Sequence, residues 1–383
     1  MNILGITHFG SFNSAACLLV NGKLIAFAEE ERFNRIKHSV HKFPKHAIDF
    51  CLKTAGLTLS DIHGIGVGHQ RIENIYSELY SKEMAEEWDI PSIVDNDFEL
   101  SLQDEFNLLN ELHSNQIFFD RIFRYDHHMC HVASSVFTSG FDKCNFFSCD
   151  HSGGSTAGRL GYFDGNELIQ FDIMHLMGSI GYFYERMTGV LGFRMHSEEG
   201  KTMGLASYGD NSENNPFNEI NLFKFNKRGV LHLDKMPLHH LLPQLTFVTE
   251  QAKKNILCHE ATNLAAYTQR CLEQVFITNA KWLYNKTGCK NLAGSGGSFL
   301  NCSANGRLLQ SDFIDQLYVV PASTDAGNAL GSAILCHKDL TGTYPRIEFN
   351  DAYWGSSFTK EQVVNSIDTY NNANIRNNSS FKL

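Results

Sequence analysis

One arrangement of strands and turns occurs twice in the sequence, and it constrains the fold more than any other feature. The first copy is ILGITHFGSFNSAACLLVNGKLIAF (3–27) and the second is FFSCDHSGGSTAGRLGYFDGNELIQF (146–171). Each reads as a strand, a polar Gly/Ser turn, a strand, a tight turn and a strand. The tight turns, Asn21-Gly22 and Asp164-Gly165, favour two-residue hairpins between apolar runs. The sequence therefore predicts two β-meanders, with strands at 2–7, 15–20, 23–29, 145–150, 157–163 and 168–175.

A unit that occurs twice predicts a duplicated lobe with a ligand-binding cleft between the halves. The same layout describes the actin, sugar-kinase and Hsp70 ATPase architecture, in which two hairpin turns face the phosphates of a nucleotide. Two unrelated β-meanders would look the same, so the pattern alone leaves that alternative open. Residues 210–255 are polar and weakly patterned, and we expect them to lie on the surface. Helical patterns predict helices at 42–56, 70–120, 179–193, 261–287, 299–310 and 326–336.

Four side chains of metal-binding type lie at the ends of predicted elements. His127 and His131 are four residues apart where the pattern turns helical, so both imidazoles lie on one helix face. Asp150 ends a strand before Gly153-Gly154, and Asp325 ends another strand before a helix of small residues. Each has an ordinary alternative, because an isolated H-x-x-x-H is usually a pair of buried histidines and an aspartate before a helix is usually its N-cap.

Composition excludes several classes of protein. The 383 residues carry a net charge of −10 with a pI near 6.0, so free nucleic acid is not an electrostatically favoured partner. No apolar run approaches the roughly 20 residues of a membrane helix, and MNILGITHFG does not read as a signal peptide. Ten cysteines are scattered without C-x-x-C pairs, which is typical of reduced thiols. We expect a cytoplasmic protein that does not bind membranes.

Six short motifs, taken together and in this order, resemble the O-carbamoyltransferase family of the NodU/CmcH type over residues 2–370. They are AEEERFNRIKH (28–38), HHMCH (127–131), GKTMGLA (200–206), LAAYTQ (264–269), GGSFLNCSANG (296–306) and DAGNALG (325–331). The resemblance implies an α/β fold of duplicated actin-like (ASKHA, ribonuclease-H-like) lobes with a nucleotide and metal cleft between them. The lobes would span 1–142 and 143–345, and 346–383 would be a C-terminal extension where the family's YrdC-like domain normally begins.

Members of that family make carbamoyl-adenylate from ATP and carbamoyl phosphate and pass the carbamoyl group to a hydroxyl. The resemblance thus implies an O-carbamoyltransferase that uses ATP or carbamoyl-adenylate as co-substrate, with Mg²⁺ accompanying ATP. It also implies bound Fe²⁺ or another divalent transition metal, which suits mixed imidazole and carboxylate ligands better than Mg²⁺ or Ca²⁺ does. The implied metal ligands are His127, His131, Asp150 and Asp325. The implied nucleotide-binding residues are Gly153, Gly154, Glu185, Lys201, Gly296, Gly297 and Asn301. For Lys201, a solvated loop lysine is the alternative.

Two departures from the family's pattern affect the expected chemistry. Phe12-Asn13 stands where the family has a His-Asp pair, so the general base has to come from elsewhere. The candidates are His8, His128 and His151, each of which also reads as a turn histidine without a role. In place of a YrdC-like domain, the sequence has an Asn/Ser-rich segment, 371–383, whose composition predicts disorder. We therefore expect a separate YrdC-like subunit to make the adenylate.

The sequence does not distinguish three classes of acceptor, namely a hydroxyl-bearing small molecule, a sugar and a hydroxymethylated nucleobase. It is also compatible with a homodimer. One alternative function is a tRNA threonylcarbamoyl transferase, which shares the actin-like fold, the H-x-x-x-H pair and a separate YrdC-type partner. The motifs at 28–38 and 200–206 favour the O-carbamoyl branch. Another is a non-catalytic nucleotide-binding subunit, against which the retention of all four metal-ligand positions argues. A sugar kinase is disfavoured, since it has no use for the metal set.

Overall fold

The computed structural model describes residues 1–7, 12–40, 42–69, 121–154, 156–234, 241–349, 351–355 and 357–374. The predicted helical region 70–120 and the candidate base His8 lie outside the described residues. The chain forms two compact units, 1–350 and 351–383. Both predicted β-meanders belong to the first unit. The lobe boundaries at 142 and 345 stay a prediction.

The first β-meander is the one predicted, and it forms the edge of a five-stranded sheet. Its strands pair antiparallel, and two later strands join in parallel to give the order β3-β2-β1-β4-β5. A short helix, α1 (Glu31–Asn34), and then α2 (Lys45–Ala55) follow β3, and α2 packs against β2 and β3. The strands are β1 (Asn2–Ile6), β2 (Ala15–Val20), β3 (Lys23–Glu29), β4 (Gly64–Val67) and β5 (Ile122–Arg124).

The second β-meander is also confirmed, and its sheet repeats the topology of the first. The strand order is β8-β7-β6-β11-β12, again an antiparallel meander extended by two parallel strands. A separate two-stranded sheet pairs β9 with β10. The strands are β6 (Cys144–Gly153), β7 (Thr156–Phe163), β8 (Leu168–His175), β9 (Phe223–Phe225), β10 (Leu231–Leu233), β11 (Asn291–Ser295) and β12 (Gln316–Val319).

The remaining helices match most of the predicted ones, with one break. The helix predicted at 299–310 is a 3₁₀ turn, Gly297–Leu300, followed by a separate α-helix, because Asn301 is extended and its side chain caps the second helix. The helices are α3 (His127–Val136), α4 (Ile180–Val190), α5 (Glu199–Ala206), α6 (Thr246–Lys254), α7 (His259–Thr287), α8 (Cys302–Leu309), α9 (Gly327–Thr341) and α10 (Lys360–Asn374).

The prediction that 210–255 lies on the surface is wrong in part. Leu222, Leu231 and Val248 are buried in the same hydrophobic core as α4 and α7. Their polar neighbours hide the pattern, because single apolar residues in short strands give no periodic signal. This segment thus covers one face of α7 and helps to fix α4, the helix that carries Glu185.

A pair of helices joins the two sheets. Helix α3 packs against β6, β7 and β11 of the second sheet and against α9, and α9 packs against β1, β2 and β4 of the first. The backbones approach closely, since a Cβ at Gly5 would lie 1.8 Å from the carbonyl oxygen of Ala329. The N-terminal ends of α3 and α9 are therefore held against the ends of strands from both sheets.

The second unit contains α10, which begins at Lys360. Residues 371–374 belong to this helix, so the predicted disorder from 371 onward is wrong for these four residues. Within the described residues, no helix combines the length and apolar character needed to cross a bilayer. All ten cysteines are free thiols, in agreement with the prediction from their spacing.

Candidate metal and nucleotide site

The N-terminus of α3 is fixed by Asp126 and a buried arginine. The Asp126 carboxylate accepts a hydrogen bond from the Met129 N–H at 2.7 Å, as N-cap residues do. Its other oxygen accepts from Nη2 of Arg159 at 2.7 Å, and Arg159 is only 1% exposed. A buried guanidinium paired with a carboxylate is costly to disturb, so this pair holds the first turn of α3, and with it His127, in place.

The two predicted aspartate ligands are oriented by backbone amides. Oδ2 of Asp150 accepts from the N–H of Gly297 at 3.0 Å, and Oδ1 accepts from the N–H of His151 at 2.7 Å. Oδ2 of Asp325 accepts from the N–H of Phe12 at 3.2 Å, across 313 positions of sequence. Each carboxylate is therefore aimed before any ligand binds.

The structure brings the four predicted metal ligands together. Nε2 of His131 lies 3.2 Å from Asp150 Oδ2, 3.6 Å from Asp325 Oδ1 and 3.2 Å from Nε2 of His127. Nε2 of His127 lies 3.5 Å from Asp325 Oδ1. One ligand atom from each residue falls within 4.8 Å of all the others. Two imidazole nitrogens and two carboxylate oxygens form a donor set that fits a divalent transition metal.

The electrostatics of this cluster favour positive charge. Burial lowers the pKa of His131, but hydrogen bonds and charge from Asp150 and Asp325 outweigh it and raise the pKa to about 9. Burial raises the pKa of Asp325, yet His127 and His131 hold it well below its usual value. The pKa of Asp150 is likewise lowered, because the His131 and Gly297 hydrogen bonds overcome burial and the repulsion from Asp325. Both aspartates are thus anionic, as metal ligands must be.

Sequence reasoning missed Asn328, whose carboxamide faces both histidines. Its Nδ2 lies 3.2 Å from Nδ1 of His127 and 3.4 Å from Nε2 of His131, and the residue is fully buried. It stands three residues after Asp325, and its N–H donates to the Asp325 carbonyl at 2.9 Å in the turn that leads into α9. The spacing of three residues from Asp325 is the sequence feature that could have placed Asn328 at the site.

The four predicted nucleotide-binding glycines divide into two kinds. A Cβ at Gly153 would lie 2.3 Å from Cδ2 of His127, and the amide of Gly297 is already bonded to Asp150, so these two glycines contact the predicted metal ligands. Gly154 and Gly296 have φ of 67° and 89°, a conformation that favours glycine. They follow the parallel strands β6 and β11, whose carboxyl ends lie on one edge of the sheet.

The other predicted nucleotide-binding residues form hydrogen bonds or ion pairs with protein groups. Asn301 caps α8 by accepting from the Ala304 N–H at 2.9 Å, and its amide bonds Gln269 at 2.8 Å. Lys201 is exposed and pairs with Glu198 at 2.6 Å, as a solvated lysine would. Glu185 is buried on α4, where two histidines, His151 and His196, contact it. The structure therefore groups Glu185 with histidines and not with the glycines.

The candidate bases also differ in their surroundings. His128 is fully buried, and its Nε2 donates to the carbonyl of Thr156 at 2.9 Å. Burial, with His127 and Arg159 nearby, holds the pKa of His128 well below its usual value. His151 has a side chain 31% exposed and a hydrogen bond from Nδ1 to Glu185. Of the two described candidates, only His151 reaches solvent.

Comparison with solved structures identifies the class of fold. The chain is similar to full-length HypF in its phosphate- and nucleotide-bound form, with a TM-score of 0.50 and 14% identity, over 89% of this chain and 56% of that one. It is similar to HypF of T. kodakarensis, with a TM-score of 0.50 and 12% identity, over 89% and 48%. Together with the repeated sheet topology, this likeness confirms the predicted α/β fold of the actin-like (ASKHA) class.

Sequence comparison then identifies the family. The family described as "Carbamoyltransferase N-terminus" matches residues 2–334, and the chain belongs to it. It is 30% identical over 365 residues to nodulation protein NolNO of Sinorhizobium fredii, covering 95% of this chain and 52% of that protein. It is 30% identical over 244 residues to nodulation protein NolO of Bradyrhizobium diazoefficiens, covering 62% and 43%. The chain spans about half the length of these curated relatives.

Proposed function

We propose that this chain transfers a carbamoyl group from carbamoyl-adenylate to a hydroxyl group of an acceptor, with the help of a metal ion. One observation carries the proposal, namely the cluster of His127, His131, Asp150 and Asp325 in a member of a carbamoyltransferase family. Asp150 lies in the last part of β6, His127 begins α3, and Asp325 directly precedes the N-terminal end of α9. In open α/β sheets this is where ligands bind.

In this proposal, the four residues hold Fe²⁺ or another divalent transition metal. A metal in this position supplies Lewis-acid chemistry, by which phosphate oxygens of the adenylate are held and its leaving group is polarised. The Phe12 N–H holds Oδ2 of Asp325, which leaves Oδ1 directed at the two histidines. The amide of Gly297 similarly fixes Asp150. These contacts keep the ligands in one arrangement and avoid reorganisation during the reaction.

We place the adenylate against the edge formed by Gly154 and Gly296. Backbone with positive φ and no side chain lets phosphate oxygens approach amide N–H groups closely. The HypF structure of the same fold was solved with phosphate and nucleotide, which is compatible with this placement. We assign the use of ATP, Mg²⁺ and carbamoyl phosphate to a YrdC-like unit and the transfer step to the present chain.

The test is to supply carbamoyl-adenylate to the purified chain, reconstituted anaerobically with Fe²⁺, and to measure AMP release. The acceptors are an aminoglycoside, a hexose, a hydroxymethylcytosine nucleotide and tRNA. We expect acceptor-dependent AMP release and carbamoylation of one hydroxyl compound. Asp325→Asn should lower the rate by about 100-fold or more, since it removes an anionic ligand. Asp315→Asn, at an exposed aspartate paired with Lys290, is the matched control and should leave the rate unchanged.

Other outcomes would redirect the proposal. Transfer to tRNA alone, and only when threonylcarbamoyl-adenylate replaces carbamoyl-adenylate as the donor, would support the threonylcarbamoyl-type alternative. Tight nucleotide binding without AMP release for any acceptor would refute catalysis and support a non-catalytic subunit. Pyrophosphate release from ATP that depends on carbamoyl phosphate, with this chain alone, would show that no separate YrdC-like subunit is needed.

A further inference from the structure

A second group of side chains of metal-binding type lies beside the first cluster, and the roles considered above for His151 as a base and for Glu185 as a nucleotide contact do not explain why the group is assembled. It consists of His151, Glu185 and His196, whose ligand atoms also fall within 4.8 Å of one another. His151 directly follows the predicted ligand Asp150 in β6, Glu185 lies in α4, and His196 lies in the turn between α4 and α5. Three separate elements thus converge on one point.

The geometry is that of ligands directed at a common centre. Nδ1 of His196 lies 3.0 Å from Oε2 of Glu185, and Nδ1 of His151 contacts the same oxygen. The two imidazole rings are stacked, 5.4 Å apart at an interplanar angle of 25°, so both present the same edge to the carboxylate. His196 holds a positive φ of 62°, a conformation that few residues other than glycine adopt. Its side chain is thereby turned toward Glu185.

Glu185 forms its ion pairs with His151 and His196, which carry positive charge only when protonated, and a divalent ion could neutralise the carboxylate when both histidines are neutral. The Glu185 side chain is only 7% exposed, and within the described residues no lysine or arginine forms an ion pair with it. A buried carboxylate requires a paired charge or a metal. The two histidine side chains are 31% and 36% exposed, so the group opens to solvent on their side and an ion has a path to it.

We propose that His151, Glu185 and His196 bind a second divalent transition-metal ion. Two histidines and one carboxylate form a set that Zn²⁺ and Fe²⁺ sites use, with coordination positions left for substrate or water. Phe12 links this site to the first, because its ring stacks on His196 at 4.4 Å while its N–H bonds Asp325. Phe12 is also the residue that replaces the family's histidine. Such an ion would lower the pKa of an acceptor hydroxyl bound at an open position, so that the proton could pass to solvent water without a histidine base.

The test is the metal stoichiometry of the full chain, which does not depend on the proposed function. The protein is stripped with a chelator, loaded anaerobically with Zn²⁺ or Fe²⁺, dialysed and measured by elemental analysis. We expect about two ions per chain in the wild type, about one in His196→Gln, about one in His131→Gln and almost none in the double variant. His196 is partly exposed, so His196→Gln should fold. His46→Gln is the matched control, since His46 pairs with one glutamate, Glu30, without a second histidine, and it should keep both ions.

The absorption spectrum of Co²⁺ provides a second measurement. Cobalt at a site with two histidines and a carboxylate gives visible ligand-field bands, and His196→Gln should remove one set and leave the other. A single ion per chain that is lost in His131→Gln and kept in His196→Gln would overturn the proposal. Two ions that both persist in a folded His196→Gln protein would overturn it as well.

Discussion

Gly153→Ala is the sharpest test of how the first cluster is built. The glycine lies at the end of β6, against the ring of His127, and a methyl group there would meet the imidazole directly. The added Cβ would lie 2.3 Å from Cδ2, 2.6 Å from Cγ and 2.9 Å from Cβ of His127. The side chain of a predicted metal ligand, and not merely the backbone, would have to move.

The size of that movement sets the expected effect. Carbon atoms in contact lie about 3.5–4.0 Å apart, so the ring must shift by about 1.2 Å or more. Metal–ligand distances tolerate about 0.2 Å. We therefore expect metal affinity to fall by about 10- to 100-fold, or about 1.4–2.8 kcal/mol, as for other disturbances of ligand orientation. Overpacking should also lower the free energy of unfolding by about 1–3 kcal/mol.

The assay is a chelator-competition titration with Co²⁺, performed in a His196→Gln background so that only the His127 cluster is measured. Urea unfolding of the same proteins reports stability. Gly204→Ala in α5 is the matched control, because a Cβ there meets nothing within 4 Å. It should lower neither the Co²⁺ affinity nor the free energy of unfolding. A folded Gly153→Ala protein with unchanged Co²⁺ affinity would refute the assignment of His127 as a ligand held by this contact.

Three further predictions concern single residues. Asp325→Asn should weaken metal binding by about 100-fold in the same titration, and full affinity would exclude this carboxylate as a ligand. Burial, with Lys224 nearby, lowers the pKa of His232 to about 4. Below about pH 6.5, this histidine therefore becomes protonated in the unfolded chain while it stays neutral in the native protein. The free energy of unfolding should therefore fall by about 2 kcal/mol from this residue as the pH drops from about 6.5 to 4.5. In urea unfolding, His232→Gln should remove that part of the pH dependence. An unchanged pH dependence would contradict the lowered pKa of His232. Asn301→Ala should lower the free energy of unfolding by about 1–2 kcal/mol in urea, because α8 loses its N-cap and Gln269 loses a partner, and a neutral effect would contradict this structural role.

Much of the fold was predictable because its signals are local. The turns at Asn21-Gly22 and Asp164-Gly165 specify hairpins from a few residues, and both meanders formed as expected. The long helix α7 ends before Gly288, whose positive φ matches the expected helix stop. Where no local signal exists, prediction failed: the apolar residues of 210–255 are too few and too irregular to reveal that they are buried.

The candidate site was predictable only in part. The spacing of His127 and His131 follows from helix geometry, and the resemblance supplied two aspartates to go with them. Asn328 and His196 were missed, because each acquires its partners only through folding. The contact between Phe12 and Asp325 joins residues 313 positions apart, which no spacing along the chain reveals.

By itself, the sequence determined the elements of each lobe, the duplication and the residue types available for a metal. These follow from hydrogen bonding and side-chain periodicity within short segments. Tertiary structure alone decided which of those residues meet. The packing of α3 against α9 brings His127 and His131 to Asp325, and the approach of α4 to β6 places Glu185 between His151 and His196. Such convergence depends on burying surfaces from distant segments together, a property of the whole fold and not of any one stretch.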